Sequence, residues 1–101
     1  MNILEVRYTL TAEEEMFGVW KFVAKKHGHD RADSLIDRIQ ERCQKLGRSP
    51  LFGRPYPRRP DMRYFSFLSH YILYVIHVDF VEVCHIVHTA RDLNADFDSL
   101  E

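Results

Sequence analysis

The 101-residue chain is 46% apolar, with seven Phe, five Tyr and one Trp, enough for one modest hydrophobic core, and its net charge of −1 speaks against a uniformly basic nucleic-acid-binding protein. A single domain over residues 1–101 is therefore expected. The opening MNILEVRYTLTAEEE never runs more than two apolar residues before a polar one, so neither a signal peptide nor a membrane span is expected there, and a cytoplasmic location is expected. The charge is segregated: residues 1–30 carry four basic and five acidic groups, residues 31–63 nine and four, and residues 64–101 one and six. An anionic partner would be drawn to the middle and repelled by the last third.

ILEVRYT alternates, with Leu4, Val6 and Tyr8 on one side, which predicts a half-buried strand over residues 2–9. Thr11 and Glu14 form a capping box for a helix whose stripe is Ala12, Met16, Val19, Trp20, Val23, Ala24 and His27, ended by Gly28. Phe22 falls off this stripe and is expected to be exposed. Asp30 is expected to cap a second helix with the stripe Ala32, Leu35, Ile36, Ile39, Cys43 and Leu46, and so short a connection makes the pair an antiparallel hairpin. Its Trp20 and Leu35 sides are expected to pack on a sheet. Cys43 and Cys84 lie on apolar stripes at no metal or redox spacing, which favours buried free thiols.

No period survives from Gly47 to Asp61, a segment that holds all four prolines. Pro55, Pro57 and Pro60 bias Arg54, Tyr56 and Arg59 to extended backbone, giving a stiff crossover that either presents arginines to a partner or simply docks Leu51 and Phe52 in the core. MRYFSFL, YILYVIHV and VEVCHIVH then read as a three-strand antiparallel meander broken at Ser69–His70 and Asp79–Phe80. The middle strand, apolar almost throughout, is either covered on both faces or presents an aromatic face. Beyond the meander, Leu93, Phe97 and Leu100 fall at helical spacing. Strand, helix hairpin, crossover and meander make an α+β fold with the helices on one face of the sheet.

The chemistry-bearing residues are sparse. His85 and His88, three apart in a strand, point to opposite faces and cannot grip one ion, so neither metal nor cofactor is expected. His70, Tyr71, His77, His85 and His88 could supply an acid and a base against a substrate, but residues 64–90 hold no Lys or Arg to stabilise charge at a phosphate. Only Tyr56 is interleaved among the arginines, so direct nucleic-acid binding is not expected either.

Several strings, in this order, resemble the ParE branch of the RelE/ParE toxin superfamily: ADSLIDRIQERCQKL leading to SPLFGRP, with Leu46, Pro50, Gly53 and Arg54 at the family's junction; MRYF with Arg63; HYILYVI with Tyr71 and Tyr74; and IVHTARD with His88, Arg91 and Asp92. The resemblance implies a RelE/ParE-like fold and a toxin silenced by a ParD-like antitoxin. It implies inhibition of DNA gyrase without catalysis, with ribosome-dependent cleavage of messenger RNA, as in the RelE branch, as the alternative. Arg54, Arg58, Arg59, Arg63, His88, Arg91 and Asp92 are then the candidates for target contact, and Trp20, Phe22, Tyr71 and Tyr74 those for antitoxin contact. The run PYPRRPDM and the pair Cys84–His85 depart from the family's pattern.

Overall fold

The computed structural model describes residues 3–90, so Arg91, Asp92 and the helical spacing of Leu93, Phe97 and Leu100 lie outside the described residues. In chain order the described residues form β1 (Glu5–Tyr8), α1 (Leu10–His27), α2 (His29–Gln44), two 3₁₀ turns (Lys45–Gly47 and Pro50–Phe52), β2 (Arg54–Tyr56), β3 (Arg59–Phe67), β4 (His70–Ile76) and β5 (Phe80–His88). The sheet order is β1-β5-β4-β3-β2, with β1 parallel to β5 and every other pair antiparallel. The α+β architecture and the meander match the sequence reading. The structureless crossover does not: residues 54–56 pair with β3 and make a fifth, edge strand. Pro55 is compatible with this because an edge strand needs hydrogen-bond donors on one side only.

The helix boundaries correct two caps. Thr9, not Thr11, caps α1, its Oγ1 accepting from the Ala12 amide at 3.0 Å and donating to the Cys84 carbonyl at 3.1 Å. One hydroxyl thereby satisfies an orphan helix donor and fastens the helix to β5. Gly28, not Asp30, begins α2, and it also ends α1; its φ of 93° lies in the left-handed region that only glycine enters without strain, so the hairpin turns on one residue.

The main core lies between the helix pair and one sheet face and includes Ala12, Met16, Ile39, Cys43, Leu46, Phe65, Ile72, Tyr74 and Val81. A smaller cluster of Tyr56, Met62, Leu73 and Val87 covers the opposite face, so β4 is covered on both sides. Trp20 does not face the sheet as expected. It lies against Phe17 and His29 and donates to Asp33 Oδ1 at 2.7 Å, stapling the outer side of the hairpin. Leu35 does pack against the main core. No helix among the described residues is long and apolar enough to cross a membrane.

Candidate functional site

The junction after α2 is built around Tyr74. This side chain is fully buried, donates to the Pro50 carbonyl at 2.6 Å and accepts from the Gly53 amide at 2.8 Å. Burial raises its pKa, which keeps the phenol a donor. A Cβ at Gly53 would stand 2.8 Å from that hydroxyl and 2.9 Å from the Tyr64 carbonyl oxygen, too close for any side chain. Arg63 ties the same loop to β3, donating to the Gly53 carbonyl at 2.5 Å. The expectation of antitoxin contact therefore fails for Tyr74, which is a clamp and has no surface, and Arg63 spends its guanidinium on backbone carbonyls.

The clamp lifts the preceding residues outward. Leu51 and Phe52, expected in the core if the crossover were plain, are 68% and 56% exposed. Phe52 packs edge-on to Phe65 with the Arg42 guanidinium 4.0 Å from its ring centroid. Arg54 comes next, exposed, opposite Tyr64 in the β2–β3 ladder and without an ion pair among the described residues. Arg58 is exposed, and Arg59 bonds Asp61 Oδ2 at 3.1 Å. Tyr56, alone among the arginines in sequence, is joined in space by Tyr64 and Tyr71, with successive ring centroids 6.1 Å apart and edge to face. Three tyrosines packed edge to face offer no parallel stacking platform.

The histidines scatter. His77 lies 3.1 Å from Glu82 Oε1, and His85 Nδ1 lies 3.4 Å from Glu15 Oε1 without hydrogen-bond alignment, while that carboxylate oxygen accepts from the Ile86 amide at 3.0 Å. His70 is buried, bonded through Nδ1 to the Leu68 carbonyl, and meets the ring of exposed His88 at 5.3 Å. Cys84, at the β5 bulge, has its thiol pKa pushed up to about 11, mainly by burial, which makes it a poor nucleophile. Among the described residues no three His, Cys, Asp or Glu side chains are grouped to hold a metal.

A further concavity among the described residues lies elsewhere. A groove of about 850 Å³ opens between Val19, Phe22 and Val23 on α1 and Leu68 of the β3–β4 turn with Ile86 and Val87 of β5. Phe22 is 60% exposed at its edge, as the sequence implied, and His70 and His88 line its strand side. Its wall is mostly apolar, with Glu15, Ser69, His70 and His88 as its polar members, so it suits an amphipathic helix or strand.

The family model described as "ParE toxin of type II toxin-antitoxin system, parDE" matches residues 6–93. The chain belongs to the ParE toxin family. The fold agrees: a solved structure described as the chromosomal ParDE TA system from P. aeruginosa superposes with a TM-score of 0.76 at 13% identity, covering 85% of this chain and 96% of that one. No curated protein matches by sequence. In this ParE toxin the described sequence candidates thus fall in four places. Arg58 and Arg59 lie at the β2–β3 end of the sheet, Arg54, Arg63 and Tyr71 line a shallow concavity beside the Tyr74 clamp, His88 and Phe22 border the groove, and Trp20 lies on the outer side of the hairpin. The groove walls Val19, Val23, Leu68 and Ile86 were missed because helix and strand periodicity marks all of them as core. The one available signal was Gly18, an interior helix glycine facing the groove.

Proposed function

We propose that the protein acts in the cytoplasm by binding DNA gyrase and trapping it in one state, without catalysis, and that an amphipathic segment of its ParD-like antitoxin silences it by filling the groove under α1. The reading is supported chiefly by the lack of cations where candidate acids and bases come together: His77 and His85 face carboxylates, and the touching pair His70 and His88 borders a groove with no Lys or Arg in its lining. A ribonuclease needs such groups and cations converging on one phosphate. An inhibitor needs only a shaped surface, and the raised Leu51–Phe52 knuckle followed by Arg54 and Arg58 provides apolar contact ringed by positive charge.

The test is a supercoiling assay with purified gyrase beside end-mapping of messenger RNA on translating ribosomes. Inhibited supercoiling or accumulated cleaved DNA, with intact message, is expected. Arg54→Glu with Arg58→Glu should remove the inhibition while shifting stability by no more than about 1 kcal/mol, as for exposed charges. Codon-phased cuts that vanish in His85→Ala or His88→Ala would replace this reading with the RelE one.

A further inference from the structure

On the sheet face away from the helices, strand register brings four hydrogen-bonding side chains together. Arg54 of β2 stands opposite Tyr64 of β3, Ser66 follows two positions along β3 and so projects from the same face, and Ser66 in turn stands opposite Tyr71 of β4. All four line the concavity of about 670 Å³ beside the Tyr74 clamp, with Phe52 at its rim. Among the described residues the Arg54 guanidinium and the three hydroxyls have no hydrogen-bond partner. Arg63, also in the wall, donates only to the neutral carbonyls of Leu51 and Gly53, so its charge is as uncompensated as that of Arg54. No Asp, Glu or His lines the concavity. It therefore suits an oxyanion, and it holds no acid and base pair to act on one.

Phe52 joins this concavity to a second cationic one. The Arg42 guanidinium lies 4.0 Å from the Phe52 ring centroid and, with Arg38 and Lys45, lines a hollow of about 210 Å³ beside Phe67, where Glu41 is the one acid. Cations thus stand in two groups, one on the strands and one on α2, with Phe52 between them. A free phosphate or a lone carboxylate fills one group, whereas a duplex, with roughly one charge per 1.7 Å of axis, reaches both. Arginine beside serine and tyrosine hydroxyls is also the mixture that holds phosphodiester backbones. The tyrosines packed edge to face give bases nothing to stack on, which excludes reading bases and leaves contact with the backbone.

We propose that this face binds the sugar–phosphate backbone of duplex DNA, with one phosphate held by Arg54, Ser66 and Tyr71 and its neighbours by Arg42 and Lys45. Resting on the gyrase reading, the toxin then engages gyrase more tightly when gyrase holds DNA, because the Leu51–Phe52 knuckle meets the protein while the cations beside it meet the duplex.

The full-length protein, labelled with nitrogen-15, is titrated with a mixed-sequence duplex of about 16 base pairs in about 50 mM salt. Signals of Arg42, Arg54, Ser66 and Tyr71 should move, those of Lys21 and Lys25 on α1 should stay, and an unrelated sequence should bind equally well. Log affinity should fall against log salt with a slope of about −3, and Arg54→Gln should weaken binding about fivefold and flatten the slope by about one. Ser66→Ala with Tyr71→Phe keeps the charge, so it should weaken binding about threefold and leave the slope unchanged. Absent shifts, or shifts confined to α1, would overturn the proposal. Polyglutamate binding as tightly as the duplex would give the face to an acidic protein surface instead, and inorganic phosphate reproducing the whole duplex footprint would reduce it to a site for a free anion. Gyrase is tested separately: its affinity for the toxin should rise about tenfold when it holds DNA, and the gain should vanish in Arg42→Gln with Arg54→Gln. Gyrase affinity indifferent to DNA would sink the coupling and leave the gyrase reading standing. A duplex footprint on this face without affinity for gyrase would keep the DNA site and sink that reading.

Discussion

The clamp around Tyr74 and the groove under α1 occupy opposite conditions in one small protein. In the clamp every polar group has a partner: a phenol bridges two backbone sites, a guanidinium holds the same loop, and a glycine is fixed by close approach. In the groove the wall is mostly apolar and open, a helix glycine faces empty space, and a turn sits in an unfavourable backbone region. Satisfied groups belong to a part that is complete by itself. Unsatisfied surface and retained strain belong to a part that is completed by something else.

The largest effect should come from the clamp. Tyr74→Phe keeps the ring but leaves the Gly53 amide and the Pro50 carbonyl without their partner, and each such buried group costs about 1–3 kcal/mol. A loss of about 2–4 kcal/mol in urea denaturation is expected, enough to threaten a domain of this size. A loss under about 0.5 kcal/mol would mean that water replaces the hydroxyl and that the loop is not a closed unit.

How much of this was legible in the sequence divides along the same line. Strands and helices followed from period, and the family junction at Leu46, Pro50, Gly53 and Arg54 was visible as a string. Its meaning was not, because only the fold brings Pro50 and Gly53 to Tyr74, more than twenty positions away in sequence. Edge strand β2 was hidden by its proline, since an Arg-Pro-Tyr run lacks the alternation that marks a strand. Thr9 was passed over for Thr11 because two hydroxyls two residues apart both suit a cap, and the choice was made by the Cys84 carbonyl on a distant strand. The groove was least legible. Ile86 and Val87 are core, 2% and 3% exposed, and half-buried Val19 and Val23 follow the same kind of stripe, so nothing local marks them as groove wall.

A middle-sized effect of opposite sign is expected in the groove. Replacing Leu68 and Ser69 by Asn and Gly gives the β3–β4 turn residues that accept positive φ, and relief of about 1–2 kcal/mol should raise the urea midpoint. The same double variant removes an apolar side chain from the lip, so its affinity for the antitoxin should fall as its stability rises. Stability and affinity that rise together would show that the leucine is an accident of the turn and not a part of the groove.

The smallest effect concerns protons. Burial, and to a lesser degree the charge of neighbouring His88, hold the His70 imidazole below its ordinary 6.5, against the opposing pull of the Leu68 carbonyl that accepts from its ring. In the unfolded chain His70 takes a proton as the pH falls through about 6.5, while the folded protein resists until a lower pH. Over that interval the unfolded state binds more protons, so His70's contribution to stability is complete above about pH 6.5 and is lost as the pH falls toward the depressed folded value. Glu15 across the groove and His88 beside it are present in both the parent and a His70→Asn variant, so the difference between the two proteins isolates His70. The parent should lose stability from about pH 7 to pH 5 more steeply than His70→Asn, measured by urea midpoint at each pH. Identical slopes would mean that His70 takes up its proton over the same pH range in the folded and unfolded chains. A steeper parent slope would mean that mild acid loosens the strand side of the groove, while the Tyr74 clamp, which holds no group titrating in that range, stays closed.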